Sequence, residues 1–149
     1  MAALDEPPFD ATLSRTEVRA AQQALRAQGA AADPLAVVRA HIAAVHTRDP
    51  ALMAADYADT ARITRGSAVE MPAPYFARAV QRLGSSRLVV RSLQKHEGDP
   101  ATRHAGCVDI VMQWELQGGP GHGTRGTDTF TIRGDRIVAQ HVVLHTPDY

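Results

Sequence analysis

The feature that most constrains the fold is a change of periodicity near residue 86. Before it, apolar residues recur at helical spacing, as in AVVRAHIAAVHTRDP at positions 36–50. After it, four segments alternate apolar and polar residues with a period of two, and Gly/Pro/Asp-rich turns separate them. Helices followed by a run of strands are typical of the α+β class. The sequence therefore predicts helices followed by an antiparallel sheet.

Capping residues mark the predicted helix boundaries. Ser14 and Glu17 have the spacing of a capping box, and Asp33 is an N-cap candidate followed by proline at the first helical position. Asp49 repeats this signal before another proline. The predicted elements of the first half are helices over about 14–29, 34–47, 50–58 and 71–83, and a brief strand over 60–64.

The alternation in the second half predicts which side chains face the core. Ile110, Met112, Trp114 and Leu116 share one face of their strand, and in the next strand Asp128 falls on the apolar face. A carboxylate is thus predicted on the covered side of the sheet. The final strand is apolar on both faces, so its second face is expected to meet another subunit or the N-terminal helix.

Composition excludes several classes of partner. With 149 residues, 44% hydrophobic and no net charge, the chain fits one globular domain over residues 33–149 after an N-terminal arm and extra helix over 1–32. Sixteen basic and sixteen acidic residues are interspersed, which argues against a nucleic-acid partner. No run reaches the roughly 18 apolar residues of a membrane span, and there is no apolar leader, so a cytoplasmic protein without a membrane partner is expected.

Metal and cofactor motifs are missing from the sequence. Cys107 is the single cysteine, which precludes an internal disulfide and fits a reducing compartment. His96, His104 and His122 lack a further ligand at metal-binding spacing. The glycine-rich stretch GGPGHG lacks the lysine and following helix of a phosphate loop. We therefore predict no metal and no cofactor.

Two segments carry a resemblance to a known family. VVRAHIAAVHTRDPALMAADYADTARI, at residues 37–63, and TDTFTIRGDRIVAQHVV, at 127–143, resemble the NTF2-like superfamily, in its SnoaL-like and ketosteroid-isomerase-like branch. The resemblance covers about residues 33–146. It implies a cone-shaped, cystatin-like fold in which a curved antiparallel sheet wraps on three helices around a deep apolar pocket, commonly in a homodimer.

The resemblance also implies site positions. The two residues of ketosteroid isomerase that donate hydrogen bonds to an enolate oxygen match His41 and Asp128 here. The position of the general base matches Arg65. Arginine is permanently protonated and cannot accept a proton from carbon. A steroid isomerase working by the familiar mechanism is therefore not expected.

His41 and Asp128 together suggest an acid/base hypothesis. His41 would transfer the proton while Asp128 sets its tautomer and basicity. The reaction would be an isomerisation, cyclisation or dehydration of a small apolar carbonyl compound, without a cofactor. The predicted substrate pocket consists of Tyr57, Phe76, Ile110, Met112, Trp114, Phe130 and Gln140.

Each of these residues also has a structural interpretation. His41 could be a hydrogen-bonded core histidine, Asp128 a strand-end partner of an arginine, and Arg65 a surface residue or a ligand for an anion. Asp56 and Asp59 read as surface and turn residues. The chain would then be a non-catalytic ligand-binding or dimerisation module, or a subunit whose partner chain carries metal. A cavity that is open to solvent and lined by His41 and Asp128 within hydrogen-bond distance would favour the enzyme, whereas a cavity completely filled by side chains would favour the module.

Overall fold

The computed structural model describes residues 13–96 and 106–145. The predicted turn at residues 98–100 and the side chain of His104 lie outside the described residues. The helices are α1 Arg15–Gln28, α2 Pro34–Thr47, α3 Pro50–Ala54 and α4 Pro72–Leu83. The strands are β1 Tyr57–Arg65, β2 Ala68–Glu70, β3 Arg87–His96, β4 Cys107–Gln117, β5 Arg125–Arg133 and β6 Arg136–Leu144.

The predicted helix starts are confirmed. Ser14 and Glu17 form a reciprocal capping box, in which each side chain accepts a hydrogen bond from the other residue's backbone N–H. Asp33 caps α2 by accepting from Leu35 at 3.1 Å. Asp49 caps α3. These local contacts satisfy backbone donors that the first helical turn leaves open.

The helix predicted over residues 50–58 is too long. It ends at Ala54, and β1 begins at Tyr57, earlier than the predicted strand. Tyr57 is paired with Ile137 of β6, and the backbone carbonyl of Asp56 accepts a hydrogen bond from Ile137 at 2.8 Å. Pairing with a distant strand therefore overrides the local preference for helix.

The six strands form one curved sheet in the order β2-β1-β6-β5-β4-β3. The neighbours are antiparallel except β1 and β6, which run parallel. The register shifts in the β1–β6, β3–β4 and β5–β6 pairs. Such bulges bend a strand and increase its twist, so they give the inner face the concavity that the site occupies.

One of these bulges explains why apolar residues occur at both the odd-numbered and the even-numbered positions of β6. Thr131 pairs with Ala139 and Ile132 with Ile137, so Val138 is an extra residue. Beyond it the alternation changes phase, and Ile137 lies buried on the inner face together with Gln140 and Val142. The outer face keeps His141 and Val143 exposed, and α1 does not cover them.

Helix α1 is joined to the rest of the chain by a buried polar cluster around Asp56. Gln22 donates hydrogen bonds to the carbonyl of Leu52 at 2.9 Å and to Asp56 Oδ2 at 3.0 Å. Arg26 forms ion pairs with Asp56 and Asp135. Asp56 is 0% exposed, so the expectation that it is a surface residue is wrong. Burial raises the pKa of Asp56, while Gln22 and Arg26 act against this rise.

No helix in the described part of the chain is both long and apolar enough to cross a membrane.

Replacing Gln22 with leucine should lower the free energy of unfolding by about 1–3 kcal/mol, because two buried acceptors lose their donor. The matched control is Gln23→Leu on the exposed face of α1, which should change it by no more than about 0.5 kcal/mol. Urea unfolding of both variants measures the difference. Equal stability of the two variants would contradict the role given to the buried cluster.

Candidate functional site

A cavity of about 90 Å³ lies between α2, α4 and the inner face of the sheet. Most of its wall is apolar, including Ile42, Val45, Phe76, Leu116 and Val142. Among the described residues, the polar and charged side chains of the wall are His41, Arg65, Tyr75, Arg82, Trp114, Asp128 and Gln140. The cavity is partly open, and Arg65, Ala79, Arg82 and Leu144 form its partly exposed mouth.

The strand register places Asp128 in the middle of the sheet. Arg65 of β1 pairs with Val142 of β6, Val142 with Asp128 of β5, and Asp128 with Met112 of β4. Paired residues point to the same face, and neighbouring strands are about 4.8 Å apart. The four side chains therefore form one row along the inner face, in which Arg65 lies at one end and the Asp128 carboxyl group lies between Val142 and Met112.

Asp128 is buried, and each of its carboxyl oxygens accepts one hydrogen bond. Trp114 Nε1–H donates to Oδ1 at 2.9 Å, and the side-chain amide of Gln140 donates to Oδ2 at 2.9 Å. Burial raises the pKa of Asp128 to about 6, against the two hydrogen bonds and the positive charge of Arg65, which favour the ionised form. The interpretation of Asp128 as a strand-end partner of an arginine is thus wrong.

Gly126 allows the Trp114 indole to reach this carboxyl group. The two residues are directly paired in β4 and β5. A Cβ at position 126 would lie 2.4 Å from Trp114 Cζ2, so the indole occupies the space that any other residue would fill. Gly126 was not among the residues predicted from the sequence. A glycine inside an alternating strand was the available signal, since it often marks a close approach.

His41 is also buried, and its tautomer is set by the backbone. Its Nδ1–H donates to the carbonyl oxygen of Met53 at 3.0 Å, because a carbonyl can only accept. Nε2 lies 3.3 Å from the Tyr57 hydroxyl. Desolvation lowers the pKa of His41 to about 4. The imidazole is therefore neutral near pH 7.

His41 and Asp128 do not form the direct pair that the hypothesis assumed. The Tyr57 hydroxyl donates to the side-chain carbonyl of Gln140, whose amide donates to Asp128. Among the described residues, Tyr57 and Gln140 thus lie between the imidazole and the carboxyl group. The Met53 carbonyl, and not Asp128, fixes the tautomer of His41.

The predicted pocket residues fall into two groups. Phe76, Met112, Trp114 and Gln140 line the cavity with His41 and Asp128. The remaining three, Tyr57, Ile110 and Phe130, are buried in the core and are not part of the cavity wall.

Two arginines border the cavity. Arg65, at the position matched to the general base of ketosteroid isomerase, lies at the mouth, half-buried. Arg82 of α4 was not predicted from the sequence, and its guanidinium carbon lies 5.7 Å from the centre of the Tyr75 ring. Nothing in the sequence distinguishes Arg82 from the exposed Arg78 of the same helix. Their different roles follow from where α4 packs.

Within residues 13–96 and 106–145, no group of three or more His, Cys, Asp or Glu side chains is placed to hold a metal ion.

Substituting Trp114 with phenylalanine should raise the pKa of Asp128 above its value of about 6, because the ionised carboxylate loses a donor. A hydrogen bond to a charged group corresponds to a rise of about one to two pH units. Carboxyl ¹³C NMR titration measures the change. Gly126→Ala, which displaces the indole, should act in the same direction, whereas Thr129→Val on the outer face of β5 should not. An unchanged titration in both inner-face variants would contradict this assignment.

The two buried groups should have opposite effects on stability as pH changes. The pKa of folded His41 is about 4, below its ordinary 6.5, so the contribution of His41 to the free energy of unfolding is lost as pH falls from 6.5 to 4. The pKa of folded Asp128 is about 6, above its ordinary 3.8, so its contribution is lost as pH rises from 3.8 to 6. In the wild type the two effects largely offset each other.

Single substitutions should reveal each effect. Relative to wild type, His41→Gln should gain about 3 kcal/mol of unfolding free energy as pH falls from 6.5 to 4. Asp128→Asn should gain about 3 kcal/mol as pH rises from 3.8 to 6. Denaturant unfolding at several pH values measures these differences. Slopes of the same sign in the two variants would contradict the assigned pKa directions.

The same fold occurs in several solved structures. A protein from Thiobacillus denitrificans, provisionally assigned as a calcium/calmodulin-dependent protein kinase type II association domain, has a TM-score of 0.58 and 21% identity over 76% of this chain and 95% of its own. A protein from Shewanella frigidimarina provisionally assigned as a ketosteroid isomerase has a TM-score of 0.56 and 15% identity, over 84% of this chain and 96% of its own.

An NTF2-like protein of unknown function from Cytophaga hutchinsonii gives a TM-score of 0.53 and 11% identity, over 74% of this chain and 88% of its own. No family model matches the sequence, and no curated protein matches it significantly. At these identities the similarity concerns the fold, and the names of these proteins include both enzymes and assembly domains.

Proposed function

We propose that this chain, an α+β protein with the NTF2-like fold, is an acid/base enzyme of isomerase, cyclase or dehydratase type that needs no cofactor. Its substrate would be a small apolar carbonyl compound bound in the cavity. The observation that carries the proposal is a buried carboxyl group in an apolar wall, with its pKa raised to about 6 by burial. A general base is most effective when its pKa lies near the working pH.

In this proposal Asp128 is the residue that transfers the proton. At pH 7 it is mostly ionised, and each carboxylate oxygen keeps a further lone pair besides the one bonded to Trp114 or Gln140. It can accept a proton from carbon beside a carbonyl and return it at another atom. The permanent charge of Arg65, at the end of the same row, favours negative charge on the substrate in the transition state.

His41 receives a positioning role in place of the proton transfer suggested by the sequence. Its pKa, lowered to about 4 by desolvation, makes it a weak base. Its ring contacts Tyr57, Phe76 and Phe130. The Tyr57 hydroxyl donates to Gln140, so by packing against the Tyr57 ring His41 helps to hold the amide that donates to Asp128.

The cavity volume limits the size of the substrate. An apolar cavity of about 150 Å³ accommodates one benzene molecule. The cavity here, about 90 Å³, is smaller and therefore suits a short-chain compound smaller than benzene.

The same small volume favours a second candidate, a non-catalytic binding or dimerisation module. Ligand pockets more commonly measure about 300–1,000 Å³. The exposed outer face of β6, where Val143 is 42% exposed, would then provide the contact for a homodimer.

Proton exchange separates the two candidates. Small enones and β-keto esters are incubated with the protein in D₂O, and deuterium incorporation beside the carbonyl is followed by NMR. Asp128→Asn should slow incorporation by about 10²–10⁴-fold, the contribution of a general base. The wild-type rate should fall as pH drops below about 6, because Asp128 becomes protonated.

The matched control is Asp109→Asn. Asp109 lies in the neighbouring strand β4, where it accepts a hydrogen bond from Thr131 at 2.8 Å, and it is not part of the cavity wall. The Asp109→Asn variant should catalyse deuterium incorporation at the wild-type rate. An Asp128→Asn variant that folds and exchanges as fast as this control would exclude Asp128 as the base and favour the binding module.

A further inference from the structure

The neutral His41 ring carries one buried lone pair that lacks a donor. Its Nδ1–H donates to the Met53 carbonyl, so Nε2 carries no hydrogen and can only accept. The Tyr57 hydroxyl lies 3.3 Å from Nε2, but its single hydrogen is donated to Gln140 Oε1. Among the described residues, Nε2 therefore has no hydrogen-bond donor in this arrangement, which costs free energy in a buried site.

This arrangement is the one that an ionised Asp128 requires. Trp114 Nε1–H donates to Oδ1 and the Gln140 amide donates to Oδ2, each at 2.9 Å. Because the amide nitrogen of Gln140 faces Asp128, the amide oxygen faces Tyr57 and accepts its hydrogen. The orientation of one amide thus sets the direction in which the Tyr57 hydroxyl donates.

We propose that the Gln140 amide makes a half-turn when Asp128 takes up a proton, and that Tyr57 then donates to His41. The proton adds to Oδ2, because the indole N–H of Trp114 can only donate and keeps Oδ1 an acceptor. Oδ2–H then donates to Gln140 Oε1, and the Gln140 nitrogen donates to the Tyr57 oxygen. The Tyr57 hydroxyl donates to His41 Nε2. Every other group keeps its own hydrogens, and the added proton stays on Asp128.

The distances allow both arrangements without movement of the backbone. A half-turn exchanges the oxygen and the nitrogen of the amide, which are nearly equal in size. The 2.9 Å between Gln140 and Asp128 Oδ2 suits an O–H···O hydrogen bond as well as an N–H···O bond. The 3.3 Å between the Tyr57 hydroxyl and His41 Nε2 is slightly longer than usual, so a small shift of either ring is sufficient.

The protonation state of Asp128 selects between the two arrangements. If the amide did not turn, Oδ2–H would face the N–H of Gln140, which is a contact between two donors. After the half-turn, each of these hydrogens has an acceptor, and His41 Nε2 gains a donor. The turned amide beside an ionised Asp128 would place two acceptors against each other, and low dielectric makes such contacts costly.

Three titratable groups lie along this series of hydrogen bonds. Burial raises the pKa of Asp128 to about 6, desolvation lowers the pKa of His41 to about 4, and burial raises the pKa of Tyr57. The neighbours of Asp128 in β4 and β6, Met112 and Val142, are uncharged. The other charged or titratable side chains around the series are Arg65 of β1, Tyr75 and Arg82 of α4, and Asp56.

Burial also raises the pKa of Asp56, so the test must show that the half-turn depends on Asp128. Tyr57 and Gln140 are positioning residues of the base, a role that rests on the proposed function, since they keep a hydrogen-bond partner for Asp128 in both protonation states. The half-turn itself needs only the titration of Asp128 and no substrate. It can therefore be tested apart from catalysis.

¹⁵N NMR of the protein with labelled histidine tests the half-turn as pH falls through about 6. The resonances of His41 are identified by their loss in His41→Gln. We expect the Nε2 resonance to move upfield as Asp128 is protonated, because its lone pair accepts a hydrogen bond, while the Nδ1 resonance keeps its position. Protonation of the ring itself would move both resonances, near the lower pKa of about 4.

Two variants fix the arrangement in opposite ways. In Asp128→Asn, Trp114 orients the new side-chain oxygen, so the new amide nitrogen faces Gln140 and donates to Oε1. Nε2 of His41 should then keep the low-pH position of wild type at every pH. Tyr57→Phe retains the ring but removes the donor, so Nε2 should keep the high-pH position while the Asp128 carboxyl ¹³C resonance still titrates.

The matched control is Asp109→Asn, which removes a carboxyl group from the outer face of β4, where Thr131 donates to it. The Nε2 resonance of this variant should titrate as in wild type. An Nε2 resonance that stays fixed in wild type, or that keeps its high-pH position in Asp128→Asn, would overturn the half-turn. A resonance that moves as far in Tyr57→Phe as in wild type would also overturn it, because that movement would be purely electrostatic.

These outcomes are distinguishable from those of the proposed function. If the half-turn is overturned, deuterium incorporation that depends on Asp128 would leave the enzyme proposal standing. The expected titrations combined with incorporation that is unaffected by Asp128→Asn would support the half-turn and overturn the enzyme. An Nε2 resonance that still titrates near pH 6 in Asp128→Asn would assign the change to Asp56 and overturn the half-turn.

Discussion

The structure depends on satisfying the polar groups that lie inside an apolar cone. Tyr57 donates a hydrogen bond to Gln140, Gln140 donates to Asp128, and Trp114 donates to the other carboxyl oxygen of Asp128. His41 donates to the Met53 carbonyl, and its ring packs against the ring of Tyr57. A buried polar group without a partner costs several kcal/mol, or about 1–3 kcal/mol by mutational measures. Each of these hydrogen bonds therefore stabilises its neighbours, and removing one affects the others.

The different surroundings of His41 and Asp128 explain how one cavity holds two titratable groups in different states. His41 faces aromatic rings and has its Nδ1 proton fixed by a carbonyl, so desolvation dominates and its pKa falls. Asp128 is equally buried, yet two donors and the charge of Arg65 limit the rise in its pKa. The environment leaves a neutral imidazole and a carboxyl group that titrates near physiological pH. Acid/base assignments follow from such differences.

Much of the architecture could be predicted because it rests on local signals. Capping residues and proline positions gave the starts of α1, α2 and α3, and the alternation in β4 and β5 placed Trp114 and Asp128 on the inner face. The predicted α+β fold of the NTF2-like type is confirmed by the sheet order and the solved structures. The prediction failed where pairing between strands that are distant in the sequence determines the local structure, as at the end of α3 and at the bulge in β6.

The sequence by itself determined which residues are helical, which alternate, and that His41 and Asp128 both face inward, because periodicity and capping are properties of neighbouring residues. Only the tertiary structure decided what these two side chains touch. Their polar partners lie 12 to 16 positions away in the sequence, where strand register and chain packing place them. Pattern alone could not show that Gln140 and Tyr57 separate the pair, or that Arg65 and Arg82 share a cavity mouth.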